Sequence, residues 1–599
     1  MNIPMHRFKY TKLTKEQIGE ALKATETRPD CVSEFSDILA GKSLKIVAKD
    51  GPVLDYTFKD KNKLTLSENS GTKVEAGYGA LTLKQMVFFS HMIPAEQKGY
   101  NVFVDMDTNL VTVIEVWFPT QAAGGSMFGG QSALAPREVQ RQIYYGYIDG
   151  KDHPEKLHHT TNRIEGKGMY WKQDTGVETL EFYASIISTN FVELTRHVDD
   201  LSYCAPTDYV LVNDNMFIYD RTECEFSGIM TMYAVDLFTK SQVGMRLGFN
   251  EKDELEYYMF RGKGKVVGHL TALEPFDEHG EVINMGMGPA PASNQPARRQ
   301  PKGQRTAYRP AQNLRPITEE EINKIAETKT VTFTDNPNTP QAQAGMMSGN
   351  TLPFSKLLAG KEFTLRYDHG PVYNYKVADG YNLEWKKEGD SKWQKETYRA
   401  FEADENLLFF AHMIPGSKPP ASVKIALDLT NGLTTCIYSK VGSPYYGDEV
   451  TYEAFFGVAE MEGIESAKYL RHEFTDELVG RGFTRTYSDS MTSMHLYTTP
   501  HSSSWTIYMA DQTLGMQWCA PAIYVKLRPG VYIFNLVEEA CNGAETCIIE
   551  NDNTMRASGF GFHGGRDGIN LGLIGAVGRD LGQYNVKEFF GPMGKRKGE

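Results

Sequence analysis

The sequence has no run of about 18 consecutive apolar residues, the length a helix needs to cross a bilayer. Its first residues, Met1-Asn2-Ile3-Pro4-Met5-His6-Arg7, lead into a polar stretch and lack the apolar core of a secretory signal. A cytoplasmic protein with no membrane partner is expected. Cysteine is sparse: Cys31, Cys204, Cys224, Cys436, Cys519, Cys541 and Cys547 are an odd set at scattered spacings, which suits reduced thiols better than a disulfide framework. Cys541 and Cys547 have no second pair beside them, so a zinc site is not expected. Basic surplus is absent as well. With 63 Lys and Arg against 76 Asp and Glu, the formal charge is −13, and phosphate binding needs clustered excess cations. A nucleic-acid partner is therefore not expected.

Nucleotide and hydrolase signatures are also missing. The sequence has no Walker loop, no glycine fingerprint between a strand and a helix, no His-Glu-x-x-His and no Gly-x-Ser-x-Gly. Gly124-Gly125 and Gly129-Gly130 open no helix behind a buried strand. His158-His159 is the nearest approach to a metal cluster, but neighbours on a strand face opposite sides. No metal and no cofactor are expected. What remains is ordinary globular composition, 41% hydrophobic and 23% charged, in a chain too long for one core.

The most informative feature is an internal duplication, from about Phe35 to Asp277 and again from about Phe354 to Phe590. Leu39-Ala40-Gly41-Lys42, Gly51-Pro52-Val53 and Tyr56 return as Leu358-Ala359-Gly360-Lys361, Gly370-Pro371-Val372 and Tyr375. Phe88-Phe89-Ser90-His91-Met92-Ile93-Pro94 returns as Phe409-Phe410-Ala411-His412-Met413-Ile414-Pro415. Cys204-Ala205-Pro206, Tyr209-Val210, Glu223 and Gly228 match Cys519-Ala520-Pro521, Tyr524-Val525, Glu538 and Gly543, and Gly248-Phe249 matches Gly561-Phe562. Each copy is preceded by a capping-box signature, Thr14 with Gln17 and Thr318 with Glu321, so each starts with a short helix. Between them, Val282 to Arg315 carries six basic residues and no acid among Pro, Gly and Ala, which reads as a flexible linker.

Inside the copies, apolar residues alternate in short runs such as Val111-Thr112-Val113-Ile114-Glu115-Val116-Trp117, and turn signals recur between them. Period two means strands, and this rhythm favours antiparallel meanders closed into barrels. A weaker echo within each copy, Gly41, Gly51 and Tyr56 against Gly168, Gly176 and Tyr183, points to two barrels per copy. The expected fold is all-β: tandem lipocalin-like antiparallel barrels, two per repeat, with short capping helices. The boundaries expected are an extension at 1–34, barrels at 35–134 and 135–281, a linker at 282–316, a helix and connector at 317–353, and barrels at 354–447 and 448–599.

Thr475-Asp476-Glu477-Leu478-Val479-Gly480-Arg481, Thr486-Tyr487-Ser488, His495-Leu496-Tyr497, Trp505, Cys519, Tyr524-Val525-Lys526, Tyr532-Ile533-Phe534 and Met555-Arg556-Ala557-Ser558-Gly559 together resemble the C-terminal domain of the MoaF family. Leu358–Tyr375 and Asp428–Gly432 resemble that family's N-terminal domain, so the whole chain resembles two MoaF units in tandem. The resemblance implies a calycin barrel, a fold shared by ligand carriers and by cofactor-free enzymes such as phenolic acid decarboxylases. The first copy departs from the pattern: Trp171 stands where Arg485 stands, Glu181 where His495 stands, and no tryptophan aligns with Trp505.

Candidate catalytic residues are His91 and His412, in aromatic strands where burial would keep an imidazole neutral, with His495, Tyr497, Glu223 and Glu538. Arg485 and Tyr487 share one strand face, as do His495 and Tyr497. Arg485 could grip a carboxylate while Tyr487, Trp505, Tyr375 and Tyr56 line an aromatic pocket. The same residues also suit a packed core or a solvated strip. Three readings stay open: a cofactor-independent lyase or isomerase working by acid–base catalysis on a small aromatic or conjugated molecule, a carrier of a small hydrophobic ligand, or a scaffold with filled barrels. Assembly as a homo-oligomer is compatible with each.

Overall fold

The computed structural model describes residues 13–24, 28–119, 137–185, 188–195, 202–223, 227–250, 252–271, 317–333, 347–442, 449–489, 491–509, 517–538 and 543–591. Cys224, Cys541, the 124–130 glycines and the 282–316 linker lie outside them. Four eight-stranded meanders follow one another along the chain.

The first runs from Ser43–Ala48 to Gln140–Ile148, each strand pairing with the next and the last returning to the first to close the ring. The fourth, Arg481–Ser488 to Gly568–Gln583, closes the same way. The second and third each have one strand broken in two. In the second, Ser202–Pro206 pairs back and Tyr209–Asn213 pairs forward, together doing what the unbroken Gln517–Arg528 does in the fourth. In the third, Gln394–Thr397 and Arg399–Asp404 divide the role of Val74–Leu83 in the first.

The closing strands Gln140–Ile148 and Val450–Met461 belong to the first and third barrels. This corrects the boundaries at 134/135 and 447/448, which fell one strand early. The turn-rich stretch before each closing strand imitates a domain linker, and only the ladder to the first strand reveals the closure. Ladder register also aligns Gly244 with Gly559, because Tyr209–Tyr219–Tyr233–Gly244 and Tyr524–Phe534–Ile548–Gly559 occupy matching rungs. The Gly-Phe match at 248 and 561 is thus two residues out of register.

Two short α-helices, Lys15–Ala24 and Glu319–Ala326, pack on the outside of the barrels. Their capping boxes form: Thr14 and Gln17 exchange bonds of 2.9 and 3.2 Å, and Thr318 and Glu321 do the same. Ile18 and Leu22 enter the apolar seam between barrels one and two, and Ile322 the seam between three and four. Within each copy, one strand parity fills the barrel and the other builds this seam, which is why so many strands are buried on both faces.

Candidate functional site

An eight-stranded barrel has an interior just wide enough for side chains to fill or for one small ligand, so the inward residues decide which. In the first barrel Tyr56, Phe58, Tyr78, Phe89, His91 and Tyr100 meet in edge-to-face and tilted ring contacts at 0–1% exposure. The third is filled alike by Tyr373, Tyr375, Trp385, Phe410 and His412. His91 Nε2 lies 3.0 Å from the Tyr56 hydroxyl, and His412 Nε2 lies 3.0 Å from that of Tyr375. Burial lowers His91 to about 3 and His412 to about 4, so both are neutral. The two copies thus repeat a Tyr–His pair inside a filled aromatic core.

The fourth barrel has a different interior. Arg485, Tyr497 and Glu550, all 0% exposed, form a closed triad. Arg485 Nη2 donates to Glu550 at 3.0 Å, and the Tyr497 hydroxyl donates to the same carboxylate at 2.5 and 2.6 Å. Burial raises the Glu550 pKa against the pull of Arg485. Beside the triad, His495 Nε2 meets the Tyr487 hydroxyl at 2.9 Å and Ser493 Oγ at 3.0 Å, and its ring lies along Trp505. Burial, with Arg485 adding to it, pushes the His495 pKa down to about 3. His495 and Tyr497 both rest against Phe534, which joins the two groups into one cluster. Arg485 Nε and Nη1 and His495 Nδ1 are buried with no acceptor or donor among the described residues. The guanidinium lies over Gly578, where any Cβ would collide with Nη1.

Strand alternation thus brings Arg485, Tyr487, His495, Tyr497 and Trp505 together. It does not bring in Glu538, which ends its strand partly exposed, nor Glu223, which is bound by Arg246 at 2.7 Å and Ser227 at 2.7 Å in the second barrel. Burial would raise Glu223, but Arg246 holds it below the usual carboxylate range. Glu550 and Ser493 are the members that sequence reasoning missed. The available signal was parity: Glu550 follows Ile548 on the inward face of Ala544–Asn551.

The second barrel has the register of the fourth but other chemistry. Trp171, Glu181, Phe191, Arg221 and Val235 occupy the rungs of Arg485, His495, Trp505, Leu536 and Glu550. Phe191 therefore supplies the aromatic ring for which no tryptophan aligned. The Arg485–Glu550 pair is replaced by apolar groups, while Glu181 and Arg221 form a pair of their own at 2.7 and 2.8 Å. Outside the barrels, a cleft of about 930 Å³ lies between the first and second, lined by segment 28–35, Lys61, the 175–177 hairpin, Thr195 and residues 255–259. Among the described residues no three His, Cys, Asp or Glu side chains are grouped to hold a metal ion, and no helix is long and apolar enough to cross a membrane.

Comparison with curated proteins finds no match. The family model described as MoaF N-terminal domain matches residues 339–443, a segment that takes in most of the third barrel. Its sister barrels repeat the same eight-strand meander. Residues 339–443 are thus similar to the MoaF N-terminal domain, and the described residues build four barrels of one eight-strand meander in tandem.

Proposed function

We propose that the fourth barrel is the working chamber of a cofactor-independent lyase or isomerase that moves a proton on a small aromatic or otherwise conjugated molecule. One observation carries this reading: among the described residues Arg485 Nε and Nη1 and His495 Nδ1 are buried without partners, and the His495 ring lies along that of Trp505. Each unsatisfied group costs about 1–3 kcal/mol. The oxygen of a bound conjugated acid or enone would satisfy the guanidinium while its ring lay against Trp505.

The chemistry then follows from the charges. Burial depresses His495 most and Arg485 adds to it, so an anion on Arg485 would remove the second effect and raise the proton affinity of the imidazole when ligand is bound. His495 takes the proton at Nδ1. Burial keeps the Tyr487 phenol protonated, and it can deliver a proton to the other end of the conjugated system and be restored through Nε2. Tyr497 and Glu550 orient Arg485. His91, His412, Tyr56 and Tyr375 support the barrels as core pairs, and Glu223 acts in another barrel.

A non-catalytic carrier is the second reading. It is favoured by His495 itself, since an imidazole held at about 3 is a weak base. A panel of hydroxycinnamates, flavonoids and enones separates the two, with turnover followed by ultraviolet absorbance and binding by the melting temperature. The expected outcome is turnover that falls by about 10²-fold or more in His495→Gln and in Tyr487→Phe, with the ligand-induced stabilisation retained. Stabilisation without turnover selects the carrier. Neither effect across the panel removes both readings.

A further inference from the structure

One wall of the fourth barrel carries much smaller side chains than its counterpart in the second. Ile548, Gly559 and Ile574 share a rung with Phe534, and Thr546, Gly561 and Gly572 share the next inward rung, nearer the Gly565–Gly568 turn. These positions face the chamber: Ile548, Ala557, Ile574 and Ala576 pack inside it, while Phe560, Phe562, Leu571 and Leu573 turn to the seam between barrels. The matching rungs of the second barrel hold Tyr233, Gly244 and Phe260, then Thr231, Arg246 and Tyr258. Two aromatic rings, an arginine and a tyrosine among them are thus reduced to two isoleucines and two glycines. Tyr487 and Trp505, the large side chains nearby, turn to His495 instead.

Packing does not account for the two glycines. Gly559, Gly575 and Gly578 have a reason to lack a side chain, since a Cβ there would strike Cys547 O, the Thr351 backbone or the Arg485 guanidinium. Gly561 and Gly572 have none. Among the described residues, a Cβ on Gly561 would meet Ile574 Cδ1 first, at 3.3 Å, and one on Gly572 would meet only Asn570 Oδ1, at 3.6 Å. Neither glycine has a positive φ. Glycine weakens a strand and often marks the close approach of another group.

Asn570 supplies a second observation. It occupies the next inward position of the same strand, and its Oδ1, turned over Gly572, is buried with no partner among the described residues. Exposure changes along this wall. Ile548, Gly559 and Ile574 are buried, whereas Gly561, Gly572 and Asn570 face inward and are still partly exposed. The chamber therefore opens at this end, beside the side chains that the wall lacks.

We propose that this wall is the entrance and distal subsite of the fourth barrel, and that its ligand is an elongated conjugated acid of two rings. The acid is held at Arg485, the outer ring lies over Gly561 and Gly572, and a hydroxyl on that ring donates to Asn570 Oδ1. This assignment rests on the fourth barrel being the ligand chamber. The Arg485 guanidinium lies over Gly578, and Gly572 is six residues further along the same strand. At about 3.3 Å per residue, roughly 20 Å of strand separates them. A single ring on a short acid leaves most of that length empty.

The test titrates the full chain by calorimetry with three probes: cinnamate, para-phenylcinnamate, and para-phenylcinnamate with a hydroxyl on its outer ring. The second should bind at least about tenfold tighter than the first, and the hydroxyl should add about threefold. Gly572→Tyr and Gly561→Val should each abolish the preference for two rings, and Asn570→Leu should abolish the gain from the hydroxyl. Gly572→Ala, for which the wall has room, should keep the wild-type melting temperature; a marked drop would make this glycine structural and overturn the proposal. Equal affinity for one and two rings, or a two-ring preference that survives both larger substitutions, also overturns it. Arg485→Lys separates the two readings. If it weakens all three acids about tenfold while the glycine variants change nothing, the chamber stands and the subsite falls. If it leaves all three at wild-type affinity, or if none of the three binds, both fall.

Discussion

Lys424 shows how buried charge is managed in this chain. It is 0% exposed on the outward face of the third barrel, where its ammonium is bound by Glu545 of the fourth, and Ser439 donates to the same carboxylate at 2.7 Å. On the matching rungs the first copy has Asn101 and Met230, and its own inter-barrel pair is Arg141 with Asp220, where the second copy has Tyr452 and Asn535. The charges change in pairs because a lone buried charge is far costlier than a paired one. Lys424→Met is therefore expected to destabilise the second copy by about 3–5 kcal/mol, by stranding Glu545. The double variant Lys424→Met with Glu545→Met should recover most of that loss. Urea unfolding of the wild type, both single variants and the double variant checks the coupling, and additive losses would show the pair to be independent. The inward sides of Arg485, Tyr487, His495 and Tyr497 could be read from alternation. The same parity marked Glu550 as inward but not as their partner, because it stands two-thirds of the way round the ring and only the closed register brings it to Arg485.

The strands and helices were legible to different degrees for physical reasons. Period-two alternation identified the strands inside the barrels, and the Thr-x-x-Gln/Glu pattern identified both helices, since each signal is local. Strand closure is non-local, so Gln140–Ile148 and Val450–Met461 were assigned to the wrong neighbours. The broken strands were hidden for the same reason. Ser202–Pro206 and Tyr209–Asn213 carry the Cys-Ala-Pro and Tyr-Val pattern of Gln517–Arg528, and nothing in composition says that only one of the two runs is interrupted. The helices have few contacts beyond one apolar face, and their caps should matter accordingly. Thr318→Ala removes the acceptor for the Glu321 amide and should cost about 1 kcal/mol. Amide exchange should quicken over 319–326 while the barrel strands keep wild-type protection. Unchanged exchange in the helix would show that the Ile322 contact alone holds it.

Duplication could be read from the sequence, but the relation between the copies could not. They meet through their second barrels about an approximate two-fold axis. Thr271 N donates to Leu581 O at 2.7 Å, and Asn585 N, on the equivalent rung, donates to Val267 O at 2.6 Å. Leu270 lies over Gly482 while Tyr584 lies over Gly168, positions where a Cβ would strike the facing side chain. Gly166 and Gly480, at φ +82° and +86°, hold the two matching turns in a backbone region that other residues rarely adopt. Around them Leu180, Phe182, Val192 and Leu270 pack with Met494, Leu496, Leu581 and Tyr584, and Ser202 bonds Ser502 at 2.7 Å. Reciprocal contacts of this kind are those of an isologous dimer interface, here within one chain. The covalent link between the copies is then unnecessary for their association once they have folded. A site-specific protease sequence placed between 282 and 315 and cut in the folded protein should leave both halves co-eluting at the intact mass. Tyr584→Ala, which deletes the ring over Gly168 and its 2.8 Å bond to Gly166 O, should let the cut halves separate. Separation of the cut wild-type halves under native conditions would instead show that the linker, and not this interface, keeps the copies together.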